Sequence, residues 1–263
     1  MKGPAAFLKS SNKGVDSLTA SKIAYVIDFD GTVTEKDLTS AAARHFGKEH
    51  YLACNEAYKR GEFGMKEWLA RMSAILPPDP AELMAFARAR AVLRTGLKEF
   101  LQHARSMERP VYIASDGFGL YIEPILEMHG CREYVAGIYC NRIRSRNGRI
   151  ETITPHAHAS CPVCGNCKAS HVMGLQEKGC RVIYVGDGMN DRFGAAYADA
   201  VFARDRLAQI CTAAGIPFQP WNDFYDIIEA GVPVKNNHGR KFCNPAGEGF
   251  YKNSPLERDG GRF

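Results

Sequence analysis

The apolar residues of this chain come in short bursts that stop at acids, serine or glycine. Ile23-Ala-Tyr-Val-Ile27 runs into Asp28. Val111-Tyr-Ile-Ala114 follows Pro110 and runs into Ser115-Asp116-Gly117. Val182-Ile-Tyr-Val185 runs into Gly186-Asp187-Gly188, and a weaker run is Ala200-Val-Phe-Ala203. Continuous apolar runs this short read as strands buried on both faces. Helical stretches lie between them, for example at 96–103 and 169–177. Strands alternating with helices predict βαβ units and a doubly wound, mainly parallel α/β sheet. Right-handed crossovers then place the strand C-ends on one edge, where ligands bind.

Residues 37–94 break this rhythm. They hold no strand-like run but several helical stretches. Asp79-Pro80 is a helix start, because Asp caps and Pro suits the first turn. Leu83, Phe86, Ala87 and Arg90 follow on one face. Asn147-Gly148 reads as the turn of a hairpin spanning 138–154. The expected organisation is a flexible tail at 1–22, a core at 23–36 and 95–233, a helical insertion at 37–94, and a flexible basic tail at 234–263.

Composition narrows the class. With 45% hydrophobic and 24% charged residues in 263, the chain is neither disordered throughout nor collagen-like. The net charge of +5 raises nucleic acid or an anionic membrane as partners. Its location removes that suggestion: residues 1–22 and 235–263 carry +3 each, which leaves 23–234 at −1. No apolar run approaches the roughly 20 residues of a membrane helix, and the N-terminus lacks the apolar core of a secretory signal. Nine cysteines are an odd number in a chain too large to need staples, so thiols that are free or metal-bound, and a cytoplasmic protein, are expected.

The polar strand ends carry the candidate chemistry. Asp28 and Asp30 lie two apart on extended chain, so both point one way. Like charges that close need a cation between them or a shared proton. A lone D-x-D is often only a polar strand end. Here Ser115-Asp116-Gly117 and Gly186-Asp187-Gly188-Met-Asn190-Asp191 end the next strands, and Lys168 opens the helix before the third. Phosphoryl transfer needs a nucleophile, a divalent cation and donors to the phosphate oxygens. Asp28 and Asp187 can hold Mg²⁺, which prefers oxygen ligands. Ser115 and Lys168 can neutralise phosphate, and Asp30 can shuttle a proton.

D-x-D-G-T at 28–32, Ser115, Lys168 and G-D-G-x-N-D at 186–191 together resemble the haloacid dehalogenase superfamily of aspartate-nucleophile phosphatases, over about 23–230. The resemblance implies a Rossmann-like core. It implies Asp28 as nucleophile and Asp30 as acid and base. It also implies Mg²⁺ held by Asp28, the Asp30 main-chain carbonyl and Asp187, with Asp191 in support. Thr32, Ser115, Asp116, Gly117 and Lys168 would bind the substrate phosphate. The insertion is similar to the cap of the phosphoserine-phosphatase-like branch. Residues 28–37, Cys164-x-x-Cys167-Lys168, and 201–207 with 224–226 resemble the methionine-salvage phosphatase group of that branch. The implied partner is a small phosphorylated metabolite, with no membrane and no nucleic acid. Phosphoserine and phosphocholine or phosphoethanolamine phosphatases are alternatives within the class. A non-catalytic binding protein on the same fold is the alternative from another class. Nothing in the sequence speaks to oligomeric state.

Cys161, Cys164, Cys167 and His171 crowd the segment before and after Lys168, with His156 and His158 nearby. C-x-x-C is a zinc half-site, so Cys161, Cys164, Cys167 and His171 are a candidate structural zinc set. The alternative is a tight loop of reduced thiols. Arg142, Arg144, Arg146 and Arg149 read as a solvated hairpin face. Trp68, Leu69 and Met72 read as packing within the insertion.

Overall fold

The computed structural model describes residues 22–159 and 161–233. The expected tails, but for Lys22, lie outside the described residues. A seven-stranded sheet in the order β4-β3-β2-β1-β5-β6-β7 forms the centre. Its strands are β1 Lys22–Ile27, β2 Val111–Phe118, β3 Val135–Arg146, β4 Arg149–Ile153, β5 Cys180–Gly186, β6 Ala200–Ala203 and β7 Gln219–Pro220. All neighbours pair in parallel except β3 and β4. That exception is the hairpin read from Asn147-Gly148, with Asn147 and Gly148 both at positive φ.

The continuous apolar runs are strands because both faces are covered. Along β1 the side chains alternate between two cores: Tyr25 and Ile27 enter one, Ala24 and Val26 the other. Ile183 and Val185 alternate with Val182 and Tyr184 in the same way. The first face packs against α4 Leu97–Ser106, α5 Gly119–Met128 and α9 Phe224–Ala230, through Phe100, Ile125 and Phe224. The second packs against α6 Lys168–Gln176, α7 Asp191–Tyr197 and α8 Asp205–Ala214, through Val172, Phe193 and Leu207.

Three helices stand between β1 and β2: α1 Leu38–Lys59, α2 Met65–Ser73 and α3 Pro80–Arg90. Asp37 caps α1 through Ser40 N at 2.7 Å, and Asp79 caps α3 through Ala81 N at 2.9 Å. Leu83, Phe86 and Ala87 are buried, whereas Arg90 lies outside and stacks its guanidinium on Phe86. The chain enters and leaves this unit side by side: Thr34 bridges Leu93, and Arg94 N donates to Val33 O at 2.9 Å. The hairpin supports α2 from the side, where the hydroxyls of Ser73 and Thr152 touch. Arg142, Arg144, Arg146 and Arg149 are exposed, as a solvated face requires. Among the described residues no helix is long and apolar enough to cross a membrane.

Candidate active site

The site lies on the C-terminal edge of β1, β2 and β5. Asp28 follows β1 directly and is only 6% exposed. The chain then makes an irregular turn, Phe29–Val33, in which Gly31 adopts φ +90°. L-residues avoid that conformation. A side chain at Gly31 would also strike the Asp187 carboxylate. Arg94 fixes the turn from outside, donating to the carbonyls of Gly31 at 2.6 Å and Thr32 at 2.9 Å.

Asp30 is held by three donors. Its Oδ1 accepts from Leu38 N at 3.0 Å, at the start of α1. Its Oδ2 accepts from Tyr121 OH at 2.6 Å and Thr39 Oγ1 at 3.1 Å. Burial, and then the nearby Asp37 charge, push the carboxyl up to about 7 despite these bonds. Gly117 stands beside it, and a Cβ there would strike Tyr121 OH and Asp30 Oδ2. Glycine therefore leaves the space in which the Asp30 carboxyl sits.

Lys168 is the first residue of α6 and is 3% exposed. Its Nζ donates to Asp28 Oδ1 at 2.6 Å and Asp191 Oδ1 at 2.5 Å. Asp191 is saturated: Oδ1 also accepts from Tyr184 OH at 2.6 Å, and Oδ2 takes Asp187 N at 3.0 Å and Gly188 N at 2.8 Å. Asp28, Asp187 and Asp191 bring carboxylate oxygens within 4.8 Å of one another. Burial, followed by the Asp191 charge, raises Asp28 well above the usual carboxylate range and takes Asp187 to about 7. Burial disfavours the charged form of Lys168, but Asp191 and Asp28 outweigh it and the ammonium is held charged. One ammonium faces three carboxylates. This hard-oxygen cluster with surplus negative charge fits a metal site. The Asp30 carboxyl is not part of it.

These groups line one cleft of about 200 Å³, a size for a small molecule. Its floor is Asp28, Asp30, Ser115, Asp116, Gly117, Lys168 and the 187–191 loop. Its roof comes from the insertion, with Ser40, Asn55, Tyr58, Met65, Trp68 and Leu69. Tyr58 OH donates to Asn190 Oδ1 at 2.7 Å, and Asn190 Nδ2 donates to Asp116 Oδ2 at 3.1 Å. One hydrogen-bonded line thus joins roof and floor. Trp68 and Leu69 pack as expected and also face the cleft.

Two sequence expectations change. Thr32 does not line the cleft. Its buried hydroxyl donates to Asp187 Oδ1 at 2.7 Å and orients that acid. The zinc set is not assembled either. His171 gives Nε2 to Asn166 Oδ1 at 2.6 Å. Cys161 accepts from the Cys164 thiol and is thereby drawn down to about 6. Cys167 Sγ accepts from Ser170 Oγ at 3.0 Å. Among the described residues, the three carboxylates form the one group of three metal-ligating side chains with ligand atoms this close. Sequence reasoning passed over Tyr58, Tyr121, Thr39 and Arg94. None belongs to a motif, and each acts through a hydrogen bond to a residue far along the chain.

Residues 25–195 match the haloacid dehalogenase-like hydrolase family. The chain is similar to the 2-hydroxy-3-keto-5-methylthiopentenyl-1-phosphate phosphatases of Exiguobacterium sp. (31% identity, covering 77% of this chain and 94% of that one) and Geobacillus kaustophilus (32%, 77% and 92%). Its fold is similar to a phosphoserine phosphatase solved as a phospho-aspartyl intermediate analogue, with TM-score 0.62, 20% identity, and coverage of 80% of this chain and 98% of that one. A substrate-bound phosphoserine phosphatase complex superposes with TM-score 0.61 at 19% identity, covering 79% and 97%. The chain belongs to the haloacid dehalogenase-like hydrolase family.

Proposed function

We propose that this phosphoric monoester hydrolase releases phosphate from a small metabolite through an aspartyl-phosphate on Asp28. The observation that carries the reading is convergence. Asp28, Ser115, Lys168 and Asp187 come from four separate segments and line one small cleft beside a protonatable Asp30. A non-catalytic scaffold has no need of that assembly.

The chemistry follows from the residues. An Asp28 carboxylate oxygen attacks phosphorus, and the bond to the leaving oxygen breaks. Asp30, pushed up to about 7, is poised to give that oxygen a proton near neutral pH. The resulting Asp30 carboxylate then takes a proton from water. The hydroxide attacks phosphorus, freeing phosphate and restoring Asp28. Lys168 and Ser115 hold phosphate oxygens. Asp28, Asp187 and the Asp30 carbonyl would hold Mg²⁺, with Asp191 in support; when bound, the ion supplies positive charge against the phosphate dianion. The roof shields the transfer to Asp28 from bulk solvent and leaves room for the one water that the second step consumes.

We take the substrate to be of the methionine-salvage kind, a phosphate ester with an uncharged leaving group. Among the described residues that line the cleft, Lys168 is the one Lys or Arg, and it is already paired with two acids. A substrate carboxylate, as in phosphoserine, would face Asp116 and the other acids with no cation of its own. Met65, Leu69 and Trp68 offer an apolar wall for a thioether. The names of the relatives support the same assignment. The test is a panel of phosphate esters with Mg²⁺ or EDTA: p-nitrophenyl phosphate, the salvage intermediate, phosphoserine and phosphocholine. Metal-dependent release, highest on the salvage intermediate, is expected. A preference for phosphoserine overturns the substrate assignment, and no hydrolysis of any ester overturns the reading as a whole.

A further inference from the structure

A strand that turns its last residues toward a ligand leaves its ladder, and the freed carbonyls need new partners. β2 does this at the cleft. Its register with β3 runs to Ala114↔Tyr139 and resumes at Phe118↔Asn141. Ser115, Asp116 and Gly117 thus stand opposite Cys140 alone. Pairing with β1 has already ended at Ile113.

Two buried side-chain amides take up the loose carbonyls. Asn141 Nδ2 donates to Asp116 O at 2.8 Å. Asn166 Nδ2 donates to Ser115 O at 2.8 Å and to Tyr139 O at 2.7 Å, replacing a missing rung between the strands. Asn166 is 2% exposed. With both amide hydrogens committed, its Oδ1 must be the atom that meets His171 Nε2, so that nitrogen carries the hydrogen. His171 lies flat on the Tyr139 ring, with centroids 4.0 Å apart and planes 7° apart. Its ring is neutral, since burial pushes it down to about 3. Asn166 is also bound to the next element: its own carbonyl accepts from Lys168 N at 3.0 Å. One residue therefore holds Ser115 by its side chain and Lys168 by its backbone.

We propose that Asn166, oriented by His171, is a positioning residue that sets Ser115 and Lys168 at the spacing one phosphate group requires. This rests on the phosphatase reading of the cleft. Asn166 touches no reacting atom and acts through the two groups that do. It stands at an unspecified position of Cys164-x-x-Cys167-Lys168, so no motif read from the sequence names it.

The test is a double-mutant cycle on the full chain with Mg²⁺: wild type, Asn166→Ala, Ser115→Ala and both together. Turnover of p-nitrophenyl phosphate and calorimetric binding of orthovanadate are each measured. Displacing a positioned group by about 1 Å costs on the order of 100-fold. Asn166→Ala is expected to lose about that much in kcat/KM, and about tenfold in orthovanadate affinity. Residues acting as a unit are non-additive. Both losses should therefore shrink to roughly threefold or less in the Ser115→Ala background. Equal losses in both backgrounds, or no loss, overturn the proposal. If wild type hydrolyses no ester, the phosphatase reading fails, and the orthovanadate cycle still decides the role of Asn166. A wild type that binds no orthovanadate overturns both. Should Asn166→Ala not fold, His171→Phe enters the same cycle. It keeps the stack on Tyr139 and removes the donor to Oδ1. About tenfold loss with Ser115 present and little without is expected; the same loss in both backgrounds refutes the proposal.

Discussion

Replacing Lys168 by Met removes the one ammonium among three carboxylates, of which Asp28 and Asp191 are buried and Asp187 is half-buried, and keeps most of the volume. Lys168, Asp28 and Asp191 side chains are 4%, 9% and 1% exposed, so solvent offers little relief. Removing one partner of a buried pair typically costs about 3–5 kcal/mol, because the remaining charge is left uncompensated. A second route gives a similar bound. An acid that escapes by binding a proton at pH 7, against its ordinary value of 3.8, costs about 4 kcal/mol at 1.36 kcal/mol per pH unit. At about 2–4 °C per kcal/mol for a chain of this size, Tm should fall by roughly 6–20 °C in EDTA. Ligand binding to the folded state adds stability. Mg²⁺ places new positive charge beside the same acids, so it should raise Tm more in Lys168→Met than in wild type. The assay is differential scanning fluorimetry of both proteins across a Mg²⁺ series. A fall below about 2 °C in EDTA, or equal Mg²⁺ responses, would refute the charge argument.

Three further outcomes follow from other parts of the structure. His171 is neutral in the fold and titrates at its usual 6.5 once unfolded. Its contribution is fully present above 6.5 and is lost as pH falls toward about 3. By pH 5 that loss reaches about 2 kcal/mol, which equilibrium unfolding should show and His171→Phe should remove. Gly117→Ala would push on Tyr121 OH and Asp30 Oδ2; a loss of roughly 100-fold in kcat/KM is expected, with a stability cost of only about 1–3 kcal/mol, read by kinetics and denaturant melts. Tyr58→Phe deletes the hydroxyl that joins α1 to Asn190; KM should rise by up to about tenfold while unfolding changes by about 0.5–1.5 kcal/mol.

The strands were legible because both faces are buried and their apolar runs are continuous. Ala200–Ala203 was read to the residue. Ile23–Ile27 and Val182–Val185 were short by one to two residues at their ends, where solvent-side positions carry Lys22 and Cys180. β2 was read to Ala114 but runs to Phe118, because its last residues are Ser, Asp and Gly, and side-chain amides hold them in place of a ladder. Asp28, Asp187 and Lys168 were legible as a set, because polar, chemistry-bearing residues recur at successive strand and helix ends where any one of them alone would be ordinary. Tyr58, Tyr121, Arg94 and Asn166 were not. Their roles exist only after folding brings an ordinary tyrosine, arginine or asparagine beside a partner tens of residues away. The hydrogen bond of Thr32 was not legible for a related reason. The residue's place in D-x-D-G-T gives its neighbourhood, but the direction of its hydroxyl depends on the Asp187 loop. The cysteines had zinc-like spacing, but spacing alone does not bring sulfurs to a common centre.

The central claim is that Asp28 carries the phosphoryl group. Acid quenching during turnover of p-nitrophenyl phosphate with Mg²⁺, followed by peptide mass spectrometry, tests it most directly. The account predicts phosphate on the peptide bearing Asp28 in wild type, and neither that adduct nor turnover in Asp28→Asn. Undiminished turnover in Asp28→Asn, or phosphate trapped on a different residue, would contradict it.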